Sequence, residues 1–222
     1  METDLRQSPV RFQADPAETE RRGDWEVVRR YRDEGAGPHI IDLSHIPRWD
    51  IQDRDLTAIR PAGLEIPNAP GVCHLEGGVL INRMNRTQAA VWYLDSKESP
   101  APDGPAVTEV TDATCFLAVL GKAARSILEK VSGLDLADPD RRPPFLVQGP
   151  VSHVPGQVVY LGAAGEVDGV LMAVSRGYGA SMVTALMEAG AEWGMRPAGE
   201  ATFTDWLARC ETAPWTNGRE TP

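Results

Sequence analysis

The sequence predicts an α+β fold built from mixed and antiparallel β-sheets with split β-α-β layers, and three observations predict it. The first is residues 110–136. A polar turn (Thr111, Asp112) leads into the apolar run Cys115-Phe116-Leu117-Ala118-Val119-Leu120, which Gly121 ends. Ala124, Ile127, Leu128 and Val131 then recur at i, i+3, i+4 and i+7, the spacing of one helix face. That reads as a buried strand feeding a helix that packs back on its sheet. The second is the series of short extended pieces between residues 39 and 94, punctuated by Pro61, Pro67 and Pro70-Gly71. The third is the order strand, helix, strands, helix, helix from residue 110 onward, which mixes both classes in one chain.

In chain order, residues 1–36 are dense in charge and poor in apolar periodicity. They are expected to form a charged, flexible N-terminal arm with one short helix around Trp25-Glu26-Val27-Val28. A β-rich first lobe is expected over residues 37–105. It opens with His39-Ile40-Ile41, an Asp42-Leu43-Ser44 turn, and Trp49 and Ile51 alternating with Asp50 and Gln52 as in a half-buried strand. Residues 79–84 and 89–94 are strands of a hairpin joined at Asn85-Arg86-Thr87-Gln88. Residues 96–105 are rich in proline, glycine and charge, hence a linker or exposed loop.

An α+β second lobe is expected over residues 106–211. After the central unit, Ala137 to Pro144 excludes regular structure. Residues 145–148, 157–161 and 170–174 are strands, with residues 162–169 a flexible connection between the last two. From Tyr178 the chain is helical, with Met182, Ala185, Leu186, Ala189 and Trp193 on one face and Gly194 at the C-terminal cap. Phe203, Trp206, Leu207 and Cys210 mark a final short helix, and residues 212–222 a frayed tail.

A chain of 222 residues is long enough for one substantial core or two small lobes. No apolar run approaches the roughly 18 residues that span a bilayer, and the N-terminus lacks the apolar centre of a signal peptide. A formal charge of −10 excludes nucleic acid and anionic membrane surfaces as expected partners. Three widely spaced cysteines, Cys73, Cys115 and Cys210, form no CxxC pair, which points to free thiols in a reducing cytoplasm.

No phosphate loop, dinucleotide fingerprint, HExxH or GxSxG is present. The four histidines are scattered and none has metal-binding helical spacing, so neither a metal site nor a catalytic residue is assigned. Two stretches carry candidate binding chemistry. In the first, Gly162 and Gly165 permit close backbone approach or positive φ, and Glu166 follows them. A carboxylate held there accepts paired N–H donors from a pterin-like or guanidine-like ring; the other reading is a plain hairpin with a solvated glutamate. In the second, Arg83 and Arg86 lie among Asn82, Asn85 and Gln88 at a strand end, presenting many donors in a small space. These suit a carboxylate-bearing ligand, a contact between subunits, or a solvated turn.

The segment VTDATCFLAVLGKAARSILEKVSGLDL, together with residues 160–166, 170–174, 182–193 and Gly194-Met195-Arg196-Pro197-Ala198-Gly199, resembles the tetrahydrofolate-dependent aminomethyltransferases. That group includes the glycine-cleavage T protein and the gamma subunit of heterotetrameric sarcosine oxidase. The resemblance runs over about half the chain, from residue 110 to residue 207. Gly162, Gly165 and Glu166 match the family's glycine turn, whereas Tyr160 stands where the family has arginine, and Ala163 and Ala164 replace tyrosine and threonine. The family's catalytic aspartate has no clear counterpart; Ala89-Ala90-Val91-Trp92 occupies its region.

With its short length, the chain looks closest to the gamma-type subunit. The resemblance implies a supporting subunit of an N-methyl-amine demethylating oxidoreductase that assembles with larger flavin-bearing subunits. Tetrahydrofolate would enter at the level of the complex and flavin on the partners. A second reading is a small folate-dependent aminomethyltransferase acting alone, with Glu166 holding the pterin and Arg83 or Arg86 the glutamate tail.

Overall fold

The computed structural model describes residues 5–95, 99–102, 104 and 106–212, with side chains to Cys210. The expected tail and part of the expected 96–105 linker lie outside the described residues. The fold is α+β. Thirteen strands and three α-helices are described, and the strands form sheets of two, six and five.

The six-stranded sheet is the centre of the molecule. Its order is β10 (Phe145–Val151), β11 (Val154–Ala164), β12 (Val167–Ser175), β9 (Thr114–Gly121), β3 (His39–Asp42) and β13 (Arg196–Ala198). All neighbours are antiparallel except β13 with β3. Both faces are buried, and the two-residue period of a strand sorts its side chains between them. From β9, Cys115, Leu117 and Val119 enter one core, while Phe116, Ala118 and Leu120 enter the other. β12 repeats this, with Val170, Met172 and Val174 on one side and Leu171 and Ala173 on the other. Continuous apolar runs in the sequence therefore mean strands covered twice. β12 and β13 run in the same direction with β9 and β3 between them, and the helix at Gly179–Gly190 connects them, a split β-α-β arrangement.

The first core is closed by α1 (Ala124–Val131) and α2 (Gly179–Gly190), through Ala124, Ile127 and Leu128 of α1 and Met182, Val183 and Leu186 of α2. The second core is shared with the five-stranded sheet and α3 (Glu200–Thr212). That sheet has the order β5 (Cys73–Glu76), β6 (Val79–Asn85), β7 (Gln88–Tyr93), β4 (Arg48–Gln52), β8 (Val107–Glu109). Leu80, Ala90 and Trp92 face inward, with the Trp92 ring edge-on to Phe116 at 4.8 Å. On the outer face Ile51, Ile81, Val91 and Tyr93 pack with Leu56 and Ile66 of the loop that follows β4. α3 inserts Phe203, Trp206, Leu207 and Cys210 beside this sheet. Gly169 of β12 makes room for it: a Cβ there would sit 2.1 Å from the Trp206 ring.

Four sequence expectations are corrected. Residues 16–31 are not an irregular arm with a helix at Trp25. They form a hairpin of β1 (Pro16–Arg22) and β2 (Trp25–Tyr31), turning at Gly23 with φ 59°. Trp25 and Val27 are buried while Glu26 is exposed, an alternation that the surrounding charges mask. The connection at residues 162–169 is mostly strand, because β11 runs to Ala164 and β12 starts at Val167, leaving Gly165-Glu166 as a two-residue turn. Trp193 is not on the buried face of α2. It lies beyond the end of that helix, 37% exposed, with the Lys130 ammonium 4.4 Å above its ring. Finally, a boundary at residue 105 does not separate the sheets: β3 belongs to the six-stranded sheet and β8 to the five-stranded one.

Candidate functional site

The structure does not bring the sequence-predicted site residues together. Glu166 is the tip of the β11–β12 hairpin, its side chain 79% exposed and paired with Lys122. That ammonium holds the Glu166 carboxyl below its ordinary range. Gly165 has the positive φ (64°) a two-residue turn requires, and Gly162 (φ 102°) sits where the β11–β12 register slips. This is the geometry of a solvated hairpin turn. Arg83, on β6, is 8% exposed and donates to the carbonyl of Arg86 at 2.5 Å, whereas the Arg86 side chain is at the surface. Cys73, Cys115 and Cys210 are buried and form no disulfide with one another, and burial pushes the Cys115 thiol up to about 12.

Three polar constellations lay outside the sequence expectations. The first centres on Glu200, the opening residue of α3 and 3% exposed. Arg22 grips its carboxylate with both terminal nitrogens (2.6 and 2.9 Å), Arg29 donates to the same group, and His45 Nε2 lies 2.8 Å from it. Burial alone would raise the Glu200 pKa; the hydrogen bonds from His45 and Arg22 outweigh it and hold the carboxyl well below its ordinary value. A carboxylate at a helix N-terminus also complements the helix dipole. Next to it, Glu34 accepts from the Tyr31 and Gly199 N–H groups and the Thr202 hydroxyl. These contacts tie the N-terminal hairpin to α3.

The second is Arg48, fully buried at the start of β4. Its guanidinium donates to the carbonyls of Ile46 (2.5 Å), Thr111 (2.7 Å) and Thr114 (3.1 Å) and to the Thr114 hydroxyl (3.0 Å), with no carboxylate partner among the described residues. Burial lowers its pKa to about 10. Because it bonds the loop before β4 to the start of β9, Arg48 staples the two large sheets. The third is Asp168, which accepts from the Tyr160 hydroxyl (2.7 Å) and Arg125 (3.1 Å). Tyr160, where the resemblance expects arginine, thus spends its hydroxyl on a neighbouring strand.

Two cavities flank β3, one at each end. The larger, about 420 Å³, is lined by His39, Gly121, Lys122, Trp193, Trp206 and Arg209. The other, about 310 Å³, lies between residues 8–16, β2 and the end of β3, and is lined by Ser8, Phe12, Trp25, Tyr31, Asp42 and His45. In the second cavity Asp42 Oδ1 accepts the Ser44 N–H at 2.9 Å, and its Oδ2 accepts the Ser8 hydroxyl. None of Glu166, Gly162, Gly165, Arg83 and Arg86 lines either cavity. The aromatic residues of the second cavity come from the segment expected to be a flexible arm, and only the Trp25/Val27 alternation in its sequence points to it.

No protein-family model and no curated protein matches the sequence. Among solved structures the chain is similar to a chain of the heterotetrameric sarcosine oxidase from Corynebacterium sp. U-96, determined in complex with pyrrole 2-carboxylate. The TM-score is 0.59 at 14% identity, covering 72% of this chain and 88% of that one. The two share a fold. At that identity the likeness speaks for architecture and not for conserved chemistry. No helix among the described residues is long and apolar enough to cross a membrane.

Proposed function

We propose that this protein is a subunit of a hetero-oligomeric N-methyl-amine oxidoreductase of the sarcosine-oxidase type. It would support assembly, with flavin and oxidation chemistry on larger partner chains and with one-carbon capture by tetrahydrofolate at the level of the complex. The observation that carries this reading is the fold likeness, which extends over 88% of a chain taken from a heterotetrameric assembly. The use of polar groups in the structure agrees with it. Glu200, Arg48 and Asp168 are all engaged in joining elements of the chain to one another. The alternative, a folate enzyme acting alone, draws no support from the geometry, since Glu166 faces solvent on Lys122, Arg83 is buried on the Arg86 carbonyl, and Arg86 is exposed.

The test is purification of the tagged chain from its native cells under mild conditions. The expected product elutes well above 24.1 kDa, shows flavin absorbance, and reduces an electron-accepting dye when sarcosine or dimethylglycine is added. A chain recovered only as a flavin-free monomer would overturn the assignment.

A further inference from the structure

The cavity at the Asp42 end of β3 has a composition that the assembly reading does not use. Three aromatic side chains, Phe12, Trp25 and Tyr31, line it together with the half-buried carboxylate of Asp42 and the exposed carboxylate of Glu26. Phe12 and Tyr31 meet edge to face with ring centroids 5.9 Å apart, which fixes both rings. The Asp42 carboxylate is anchored, because the Ser44 N–H and the Ser8 hydroxyl each bind one of its oxygens. Each oxygen retains a second lone pair. We propose that this cavity binds a small alkylated ammonium ion, its charge held between the Asp42 carboxylate and the rings of Phe12, Trp25 and Tyr31.

The chemistry selects this class over a metal ion. Val10, Val27, Val28 and Ala198 add apolar wall, and no group of three or more His, Cys, Asp or Glu side chains that could hold a metal ion occurs among the described residues. Methylated ammonium has a diffuse charge and an apolar surface, which aromatic faces and an anchored carboxylate complement. The volume, about 310 Å³, suits a small ligand. Burial, then Asp42 and Glu34, push the Tyr31 phenol up to about 12, so it stays neutral. Of the basic side chains at the cavity, Arg11 is exposed and donates to Gln7 at 3.0 Å, and His45 is bonded to the Glu200 carboxylate at 2.8 Å. The inference rests on this cavity alone and is independent of the proposed assembly.

The experiment is isothermal titration calorimetry of the full chain with tetramethylammonium chloride at constant ionic strength, with sodium chloride and the neutral isostere tert-butanol as controls. Saturable binding of tetramethylammonium with none of either control is expected. Asp42→Asn keeps the acceptor for Ser44 and the shape of the site, and is expected to weaken binding about tenfold or more; Phe12→Leu, at a partly buried position, is expected to weaken it severalfold. A chemical-shift change at the Trp25 indole N–H on titration places the ion independently of either variant. Absence of saturable binding, equal binding of tert-butanol, or unchanged affinity in folded Asp42→Asn overturns the proposal. If Asp42→Asn does not fold, an unshifted Trp25 indole in the unsubstituted chain does so.

Discussion

At the scale of the residue, Glu200 shows how burial and partners decide what a carboxylate does. Nothing in its sequence neighbourhood, Ala198-Gly199-Glu200-Ala201, singles it out, yet Arg22, Arg29 and His45 converge on it from positions 155 to 178 residues away. Because its folded-state pKa lies below the ordinary value of 4.5, the stability it contributes is complete above about pH 4.5. It is lost as pH falls from there toward the folded pKa. Glu200→Gln leaves the arginines without a counter-charge and is expected to cost about 3 kcal/mol at pH 7. The substituted chain lacks that acid loss, so the gap in melting temperature between the two proteins should narrow between pH 7 and pH 3. A gap that stays constant across that range would show that Glu200 is not the titrating link. Glu166 is the opposite case. Its place after a glycine turn suggests a ligand-binding carboxylate, but a hairpin tip puts it in water, where its pair with Lys122 contributes little.

At the scale of the element, the N-terminal hairpin is the largest difference between expectation and structure. Its residues are mostly charged because β1 is exposed almost throughout and only Trp25 and Val27 of β2 enter the interior. Two buried positions in sixteen give too weak a period to read as a strand. Docking on α3 decides its conformation instead. Gly199 is the contact point: its N–H bonds Glu34 at 2.9 Å, and a Cβ there would lie 2.2 Å from the Arg29 carbonyl oxygen. Gly199→Ala therefore must move the hairpin backbone away from α3. We expect a loss of about 2 kcal/mol, with amide exchange in residues 25–31 accelerated more than in β9 or β12. Uniform acceleration throughout the chain would argue against a hairpin held at this point. The β9–α1 unit, by contrast, was legible from Cys115 to Val131, because a doubly covered strand and an amphipathic helix have periods that local composition alone reveals.

At the scale of the whole molecule, two sheets and α3 enclose one shared core, and the chain crosses between the sheets more than once. β3 and β8 each lie outside the lobe that sequence order assigns them, and Arg48 bonds one sheet to the loop opening the other. The two halves therefore are not independent folding units. Thermal unfolding is expected to be a single transition, the same by far-ultraviolet dichroism and by tryptophan fluorescence. Trp92→Ala, at the inter-sheet contact with Phe116, is expected to lower the stability of the whole by about 3–5 kcal/mol. Two resolved transitions, only one of them shifted by Trp92→Ala, would restore the two-lobe division.

By itself the sequence determined the α+β class, the strands at residues 79–94, 114–121 and 170–174, the faces of α1 and α3, and the absence of a nucleotide loop. Each rests on a period or a motif that neighbouring residues carry. The tertiary structure alone decided the hairpin at residues 16–31, the joining of strands across the expected boundary, the Glu200 and Arg48 clusters, and the cavity at Asp42. Those depend on which distant side chains burial brings within 3 Å of one another, and no local pattern encodes that distance.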